Sequence, residues 1–270
     1  MAVQKARIVR QVVLGTAALF VVWLFGVWPP PVWWRDHEPR CTAMMRLRGA
    51  PSGCRRPAVP LSAIAPRLVR MLIIAEDSRF RTHHGIDLVE LREAWRERAR
   101  RGELRGASTI TQQLAKNLYL SPSRSPLRKL KEAVTALRLE LALPKDRIIE
   151  LYLNVAEWGP GVWGVSAASA AYFGVPPSQL TDAQAAALAA TLPQPRTSNP
   201  AYRPGRMLAR RDLILARYYG GSIPVPHAGE DSIPFIPPIT APLLPPVIET
   251  LMDSLRVRPD SGKDSLVHQP

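Results

Sequence analysis

The sequence predicts a mainly α domain behind a single N-terminal membrane-spanning helix. Three observations predict it: an uncharged run, VVLGTAALFVVWLFGVW, from Val12 to Trp28; a succession of helix-period segments between Leu61 and Gly221; and the lack of sustained strand alternation. With 270 residues, 46% of them hydrophobic, the chain can bury one main core once the terminal segment is set aside.

The apolar run, extended by Ile8 and Val9, approaches the ~20 residues that a spanning helix needs. Lys5, Arg7 and Arg10 precede it, with no acidic residue among the first eleven. The positive-inside rule therefore keeps residues 1–11 in the cytoplasm, makes 12–32 the anchor and sends the rest across. Trp28, Trp33 and Trp34 are expected at the far interface. A cleavable signal peptide is the competing reading, but PPPVWW stands where a small-residue cleavage site would lie. A buried core helix would show one polar face, and this run shows none.

The 36 basic and 22 acidic residues give a net charge of +14, and removing the three cations ahead of the span leaves +11 beyond it. Such a field attracts anionic head groups or phosphates at a membrane surface. Export excludes nucleic acid as the partner. Cys41 and Cys54, both beyond the span, suit either a structural bridge or two separate thiols, and without nearby His ligands they do not suggest zinc.

Residues 33–60, rich in Arg, Pro and Gly from Arg40 onward, read as a stalk, and the folded domain is expected over 61–222. Its predicted helices are LSAIAPRLVRMLIIAED, LVELREAWRERAR, one beginning in STITQQLAKN, PLRKLKEAVTALRLELAL, KDRIIELYLNVAEW, GVSAASAAYFG, TDAQAAALAATL and PGRMLARRDLILARYYG. Residues 223–270 are too dense in proline to sustain helices and read as an extended tail.

Three stretches carry chemistry. In STITQQLAKN, Thr109 and Gln112 form a capping box, so a helix starts there with Ile110, Leu114 and Leu118 toward the core. Gln113, Lys116 and Asn117 share another face. A run of hydroxyls and amides beside one lysine exceeds what capping requires and suits a sugar with its phosphate. In AEDSRFRTHHG, Glu76 and Asp77 follow an apolar helix, and Phe80 and His83 are expected on the same helical face as Glu76; carboxylates so placed are candidates for proton transfer. In SPSRSPLRKLKEAVTALRLELALP, Ser125 is the expected N-cap and Pro126 the first helical residue, with Arg124 beside the free N–H groups as an anion site. Leu127, Leu130, Val134 and Leu137 are expected to form that helix's core stripe, and Arg128 to pair with Glu132.

Together these stretches resemble the peptidoglycan glycosyltransferases of family 51, found in bifunctional penicillin-binding proteins and in monofunctional transglycosylases. The first motif is met by Glu76, Asp77, Phe80, His83 and Gly85, the second from Gly106 to Asn117, and the third by Arg128, Lys129 and Glu132. The fourth runs from Lys145 to Gly174 and the fifth from Leu180 to Pro195, so that the resemblance covers residues 60–220. Gln184 stands where the family usually has Glu; with Thr181 it forms a capping box, which accepts either. The AEWG wording at 156–159 looks like monofunctional members. No Ser-x-x-Lys with a Lys-Thr-Gly partner follows, so transpeptidase chemistry is not expected.

The resemblance implies a lysozyme-like two-lobed domain that polymerises lipid II into β-1,4-linked glycan with release of undecaprenyl diphosphate. It implies a bacterial inner-membrane protein of one pass with its catalytic domain in the periplasm. Glu76 matches the catalytic base, and Glu132 orients the cations around it or helps hold Mg²⁺ or Mn²⁺ with the diphosphate. Substrate binding falls to Asp77, Phe80, His83, Ser108, Thr109, Thr111, Gln112, Gln113, Lys116, Asn117, Arg124, Arg128 and Lys129. Membrane lipids, penicillin-binding proteins and divisome or elongasome components are the partners implied. A lysozyme-like muramidase is the nearest rival, but it needs an acid in an apolar pocket, whereas these carboxylates have cationic neighbours in the sequence. A non-catalytic, membrane-anchored scaffold gives no reason for five motifs in order.

Overall fold

A computed structural model describes residues 2–50, 54, 57–101, 106, 108–123 and 125–221. Arg124 and the Pro-rich segment 223–270 lie outside the described residues. The fold is mainly α, as the periodicity predicts.

Helix α1, Ala2–Phe25, contains one segment, Gln4–Phe25, long and apolar enough to cross a membrane, with mean hydropathy 2.0 and none of it buried against the protein. Its 22 residues at ~1.5 Å each give about 33 Å, close to the hydrocarbon thickness of a bilayer. The helix takes in Lys5, Arg7 and Arg10 and stops at Phe25. The expected anchor over 12–32 is thus displaced toward the N-terminus, because Gly26 and the prolines 29–31 cannot carry the helix on.

The stretch expected as a stalk is largely built into the domain. Pro31–Arg35 forms a 3-10 turn whose Trp34 is buried and donates its Nε1–H to the Tyr119 hydroxyl at 2.5 Å. Of the tryptophans expected at the interface, Trp34 therefore belongs to the core, while Trp28 and Trp33 stay exposed. Helix α2, Ala43–Arg48, buries Met44 and Met45, and Gly49 ends it in the left-handed conformation that glycine adopts without strain. Cys41 and Cys54 form a disulfide that brackets α2. Farther on, the Asn154 amide both accepts from Val59 N–H and donates to its carbonyl. Composition rich in Arg, Pro and Gly hid the two methionines and the bridge.

Two groups of helices follow. Helix α3, Pro66–Glu76, takes Pro at its first position and ends where Asp77 leaves helical angles. Helix α4, Leu88–Arg101, leads to α5, Ile110–Tyr119, opened by the Thr109/Gln112 capping box that the sequence predicts. Next come α6, Pro126–Ala142, and α7, Lys145–Val155. A two-stranded antiparallel hairpin of β1, Glu157–Gly159, and β2, Val162–Trp163, is too short to show alternation in the sequence and leaves the fold mainly α. Helices α8, Val165–Phe173, α9, Asp182–Thr191, and α10, Gly205–Tyr218, complete the described chain.

Helix α5 packs against α2, α6 and α7, while α9 packs between α3 and α10. Ile110, Leu114 and Ala115 bury the inner face of α5. Ala185, Ala186, Ala187, Ala189 and Ala190 let α3 and α10 approach α9 closely, which suits a helix buried almost all round. The Thr181/Gln184 capping box forms as expected.

Two expectations about α6 are corrected. Ser125 makes no side-chain cap bond, although the helix does start at Pro126. Leu127, Leu130 and Leu137 are exposed and Val134 is half-buried, whereas Glu132, Thr135, Ala136 and Leu139 form the packed face. The outward stripe includes Lys131 and Arg138, which donate to the carbonyls of Gly26 and Phe25 at the end of α1. Apolar periodicity marks a face that avoids water without saying whether it meets protein or the membrane side.

Candidate active site

Glu76 is the last residue of α3, and its position depends on its neighbour. The Asp77 carboxylate accepts from Ile110 N–H at 2.9 Å and bonds His83 Nε2 at 2.8 Å. An anion at the first N–H groups of a helix is favourably placed, so Asp77 ties the end of α3 to the start of α5. The chain then turns instead of continuing as helix. Phe80 goes into the core, and His83 reaches Asp77 rather than sharing a face with Glu76. Gly85 follows at φ +83°, where a Cβ would come within 3.0 Å of the Ala136 carbonyl, and its own carbonyl accepts from Thr109 Oγ1.

The Glu76 carboxylate is buried and held from two sides. Oε1 accepts from Arg210 Nη2 on α10 at 2.9 Å, and Oε2 accepts from Gln113 Nε2 at 3.0 Å. Arg210 Nη2 also donates to the Ala75 carbonyl. The Gln113 amide oxygen accepts from the Tyr152 hydroxyl on α7 at 2.8 Å. Burial, and then the charge of Glu76, hold the Tyr152 hydroxyl well above its ordinary pKa, so it remains a donor. A donor at the amide oxygen turns the Gln113 NH₂ toward Glu76.

A cavity of about 160 Å³ is lined by Ala75, Glu76, Gly106, Ser108, Gln113, Lys116, Leu192 and Pro193. Gln113, Lys116, Leu192 and Pro193 also line a second chamber of about 140 Å³, which adds Arg48, Asn117, Tyr152 and Glu157. The α3–α9–α10 group supplies one wall and the α5–α7 group the other, with Lys116 at the junction. Burial lowers the pKa of this half-buried lysine, and the charges of Lys129, Arg48 and Arg128 lower it further, against a smaller upward pull from Glu132. The charge of an arriving anion opposes that depression.

Glu132 lines neither chamber. It is buried on α6 between Arg128 Nη1 at 2.5 Å and Lys129 Nζ, and Lys129 also donates to Ser108 Oγ at 2.7 Å. Glu132 therefore orients cations and does not itself face the cleft. Both its oxygens are engaged; among the described residues, the three carboxylate or imidazole groups close enough to share a metal ion are Asp77, His83 and Asp87. Of those, Asp77 and His83 bond each other, and Asp87 is held by Arg79 and by the N–H groups of Val89 and Glu90. The residues around Glu132 do not fit a divalent-ion site.

The expected substrate wall is narrower than the sequence suggests. Ser108, Gln113, Lys116 and Asn117 reach the cleft. Thr109 and Gln112 are used up in the capping box, and fully buried Thr111 donates to Glu140 Oε1 at 2.6 Å. Polar residues at a helix start first satisfy its free N–H groups. Asp77, Phe80 and His83 likewise act as structure, Asp77 touching only a narrow space of about 10 Å³ beside Glu76. Lys129 stands behind Ser108, while Arg128 is held by Glu132 and the Ser123 carbonyl and lines neither chamber. Arg210, Tyr152, Arg48 and Glu157 were not singled out from sequence: Arg210 sits in an Arg-rich amphipathic helix with no distinguishing spacing.

The family model described as Transglycosylase matches residues 44–219. The chain belongs to the transglycosylase family. This transglycosylase is 41% identical over 219 residues to a protein of Azoarcus sp. (strain BH72), covering 78% of this chain and 94% of the relative. It is 41% identical over 221 residues to one of Thiobacillus denitrificans, with 78% and 94% covered, and 40% identical over 220 residues to one of Chromobacterium violaceum, with 78% and 96% covered. All three relatives carry the name biosynthetic peptidoglycan transglycosylase. The match begins inside α2, in keeping with its place in the transglycosylase core.

Two outcomes follow for this transglycosylase. Replacing Arg210 by Met strands a buried carboxylate and costs about 3 to 5 kcal/mol in urea unfolding, whereas Arg81→Ala, which removes an exposed pair with Asp146, costs under about 1 kcal/mol. Equal losses would mean that the Glu76–Arg210 pair is not formed. Because Lys116 gives up its proton below pH 10.5, pyrophosphate binding to the purified chain weakens at an alkaline pH beneath that value. Lys116→Arg shifts the weakening upward, and an unmoved pH profile would rule out Lys116 as the anion's partner.

Proposed function

We propose that this chain is a peptidoglycan glycosyltransferase that polymerises lipid II into β-1,4-linked glycan strands, releasing undecaprenyl diphosphate, without transpeptidase activity. One observation carries the reading: Glu76 and Lys116 line the same cavity, a carboxylate at the end of α3 and a cation on α5. The relatives' shared name and the five motifs support the substrate class.

In this reading the acceptor's 4-hydroxyl enters beside Glu76. A sugar hydroxyl attacks poorly until a base takes its proton, and the Glu76 carboxylate accepts it as the new O4–C1 bond forms. The anomeric carbon inverts from α to β as its bond to the diphosphate oxygen breaks. Diphosphate departs as a stable anion without being protonated, so the site needs positive charge more than a general acid. Lys116 supplies it at the junction, and Lys129, bonded to the lining Ser108, adds to it. Arg210 and Gln113 hold both oxygens of Glu76 in place without occupying every lone pair. A Mg²⁺ or Mn²⁺ ion arriving with the substrate would find no open ligand on Glu132, whose two oxygens are held by Arg128 and Lys129.

Residues 4–25 anchor the enzyme in the bacterial inner membrane with the catalytic domain in the periplasm, where the donor and acceptor lipids lie. The outward apolar stripe of α6 beside α1 suits contact with membrane lipids. Penicillin-binding proteins and divisome or elongasome components fit as partners, because a strand without cross-links needs a separate transpeptidase. The test is Glu76→Gln on labelled lipid II in detergent: polymerisation falls by roughly 10² to 10⁴ while lipid II binding persists. Product formation at the unmutated rate would refute the base assignment.

A further inference from the structure

Beyond Lys116 the cleft runs into the second chamber, whose lining includes Arg48, Glu157 and Pro195; Arg48 and Glu157 belong to a charge cluster that the mechanism does not use, and Arg196, next to Pro195, joins it through Glu157. Glu157, the first residue of β1, has a nearly buried carboxylate. Its Oε2 lies 2.5 Å from Arg48 Nη1 at the end of α2, and its Oε1 lies 2.8 Å from Arg196 Nη1 in the turn after α9. The two arginine side chains are 34% and 46% exposed. A pair kept only to satisfy a buried acid needs one cation; here two half-exposed guanidiniums share one carboxylate. Each guanidinium carries five N–H donors, and the bond to Glu157 uses one.

The cluster is also rigidly mounted. The Cys41–Cys54 bridge and the Gly49 cap fix α2, and with it Arg48. Trp158 is fully buried, and the Tyr172 hydroxyl donates to its carbonyl at 2.8 Å, which fixes the strand that bears Glu157. Donors held in place before a ligand arrives lose little freedom on binding.

We propose that Arg48 and Arg196, positioned by Glu157, form a carboxylate-binding subsite for the acidic peptide branch of the donor glycan. The proposal rests on the reading that the donor is a lipid-linked peptidoglycan strand. Glu76 marks the acceptor side of the cleft and Lys116 the diphosphate, so the chamber across Lys116 from Glu76 receives what the donor sugar carries. The charge matches as well: two guanidiniums and one carboxylate sum to +1, which balances a single carboxylate and falls short of a diphosphate. Arginine's planar fork fits a carboxylate in two-point contact. Glu157 is a positioning residue here, and the arginines touch the ligand.

The experiment compares two donors on the full-length, detergent-solubilised chain: lipid-linked strand with free peptide carboxylates, and the same strand with those carboxylates amidated. For the unmutated enzyme, amidation raises the donor KM about tenfold or more with kcat unchanged. The Arg48→Gln/Arg196→Gln double variant has the raised KM on the acidic donor and no response to amidation. An equal amidation response in both enzymes overturns the subsite, and so does an equal KM increase on both donors, the pattern of a phosphate, headgroup or purely structural role. Binding of a lipid-free disaccharide-peptide, acidic against amidated, gives the same comparison without turnover. A chain that fails to polymerise either donor sinks the polymerase reading, whereas one that polymerises both with equal KM sinks the subsite alone.

Discussion

The arrangement of this site depends on one carboxylate that takes no part in the chemistry. Asp77 is caught between the His83 imidazole and the Ile110 N–H, so the C-terminus of α3 is fastened to the N-terminus of α5. That join sets Glu76 opposite Gln113 and puts Lys116, two turns along α5, within the same cavity. Without it the base and the cation would sit on helices belonging to separate packing groups. Gly85 completes the joint by letting the returning chain pass against α6, where a side chain would collide with the Ala136 carbonyl.

The second constraint is electrostatic. A buried acid is costly unless paired, and Glu76 is paired with Arg210 from the far end of the domain, bringing α10 into the site. Positive charge is concentrated around α5: Lys116 feels the charges of Lys129 and Arg128, which Glu132 partly offsets. Base and cation thereby border one cavity from different helices, Glu76 on α3 and Lys116 on α5. This division lets proton removal and anion departure proceed at opposite ends of one sugar.

Much of this was legible in the sequence, for identifiable reasons. Two capping boxes, a proline helix start and an uncharged run are local codes, and α5, α9, α6 and α1 follow them. Glu76, Gln113 and Lys116 were recognisable from ordered motifs. The errors arose where tertiary context decides. Thr109, Thr111 and Gln112 have the same polar chemistry whether they face a ligand or a helix terminus. The leucines of α6 have the same period whether they meet a core or the anchor side. Arg210 lies 134 positions from Glu76, and no local pattern announces a partner at that distance. The stretch 33–60 was misread because its few anchoring residues, Trp34, Met44 and Met45, are outnumbered by arginines, prolines and glycines.

The central claim is that Glu76 and Lys116 act on one transition state, and a double-mutant cycle tests it most directly. Glycan formation is measured for Glu76→Gln, Lys116→Ala and the pair together, using lipid II under single-turnover conditions. Residues that act as a unit are strongly non-additive, so the double variant should lose little more than the worse single variant. Losses that multiply, leaving each substitution with its full effect in the presence of the other, would contradict the account.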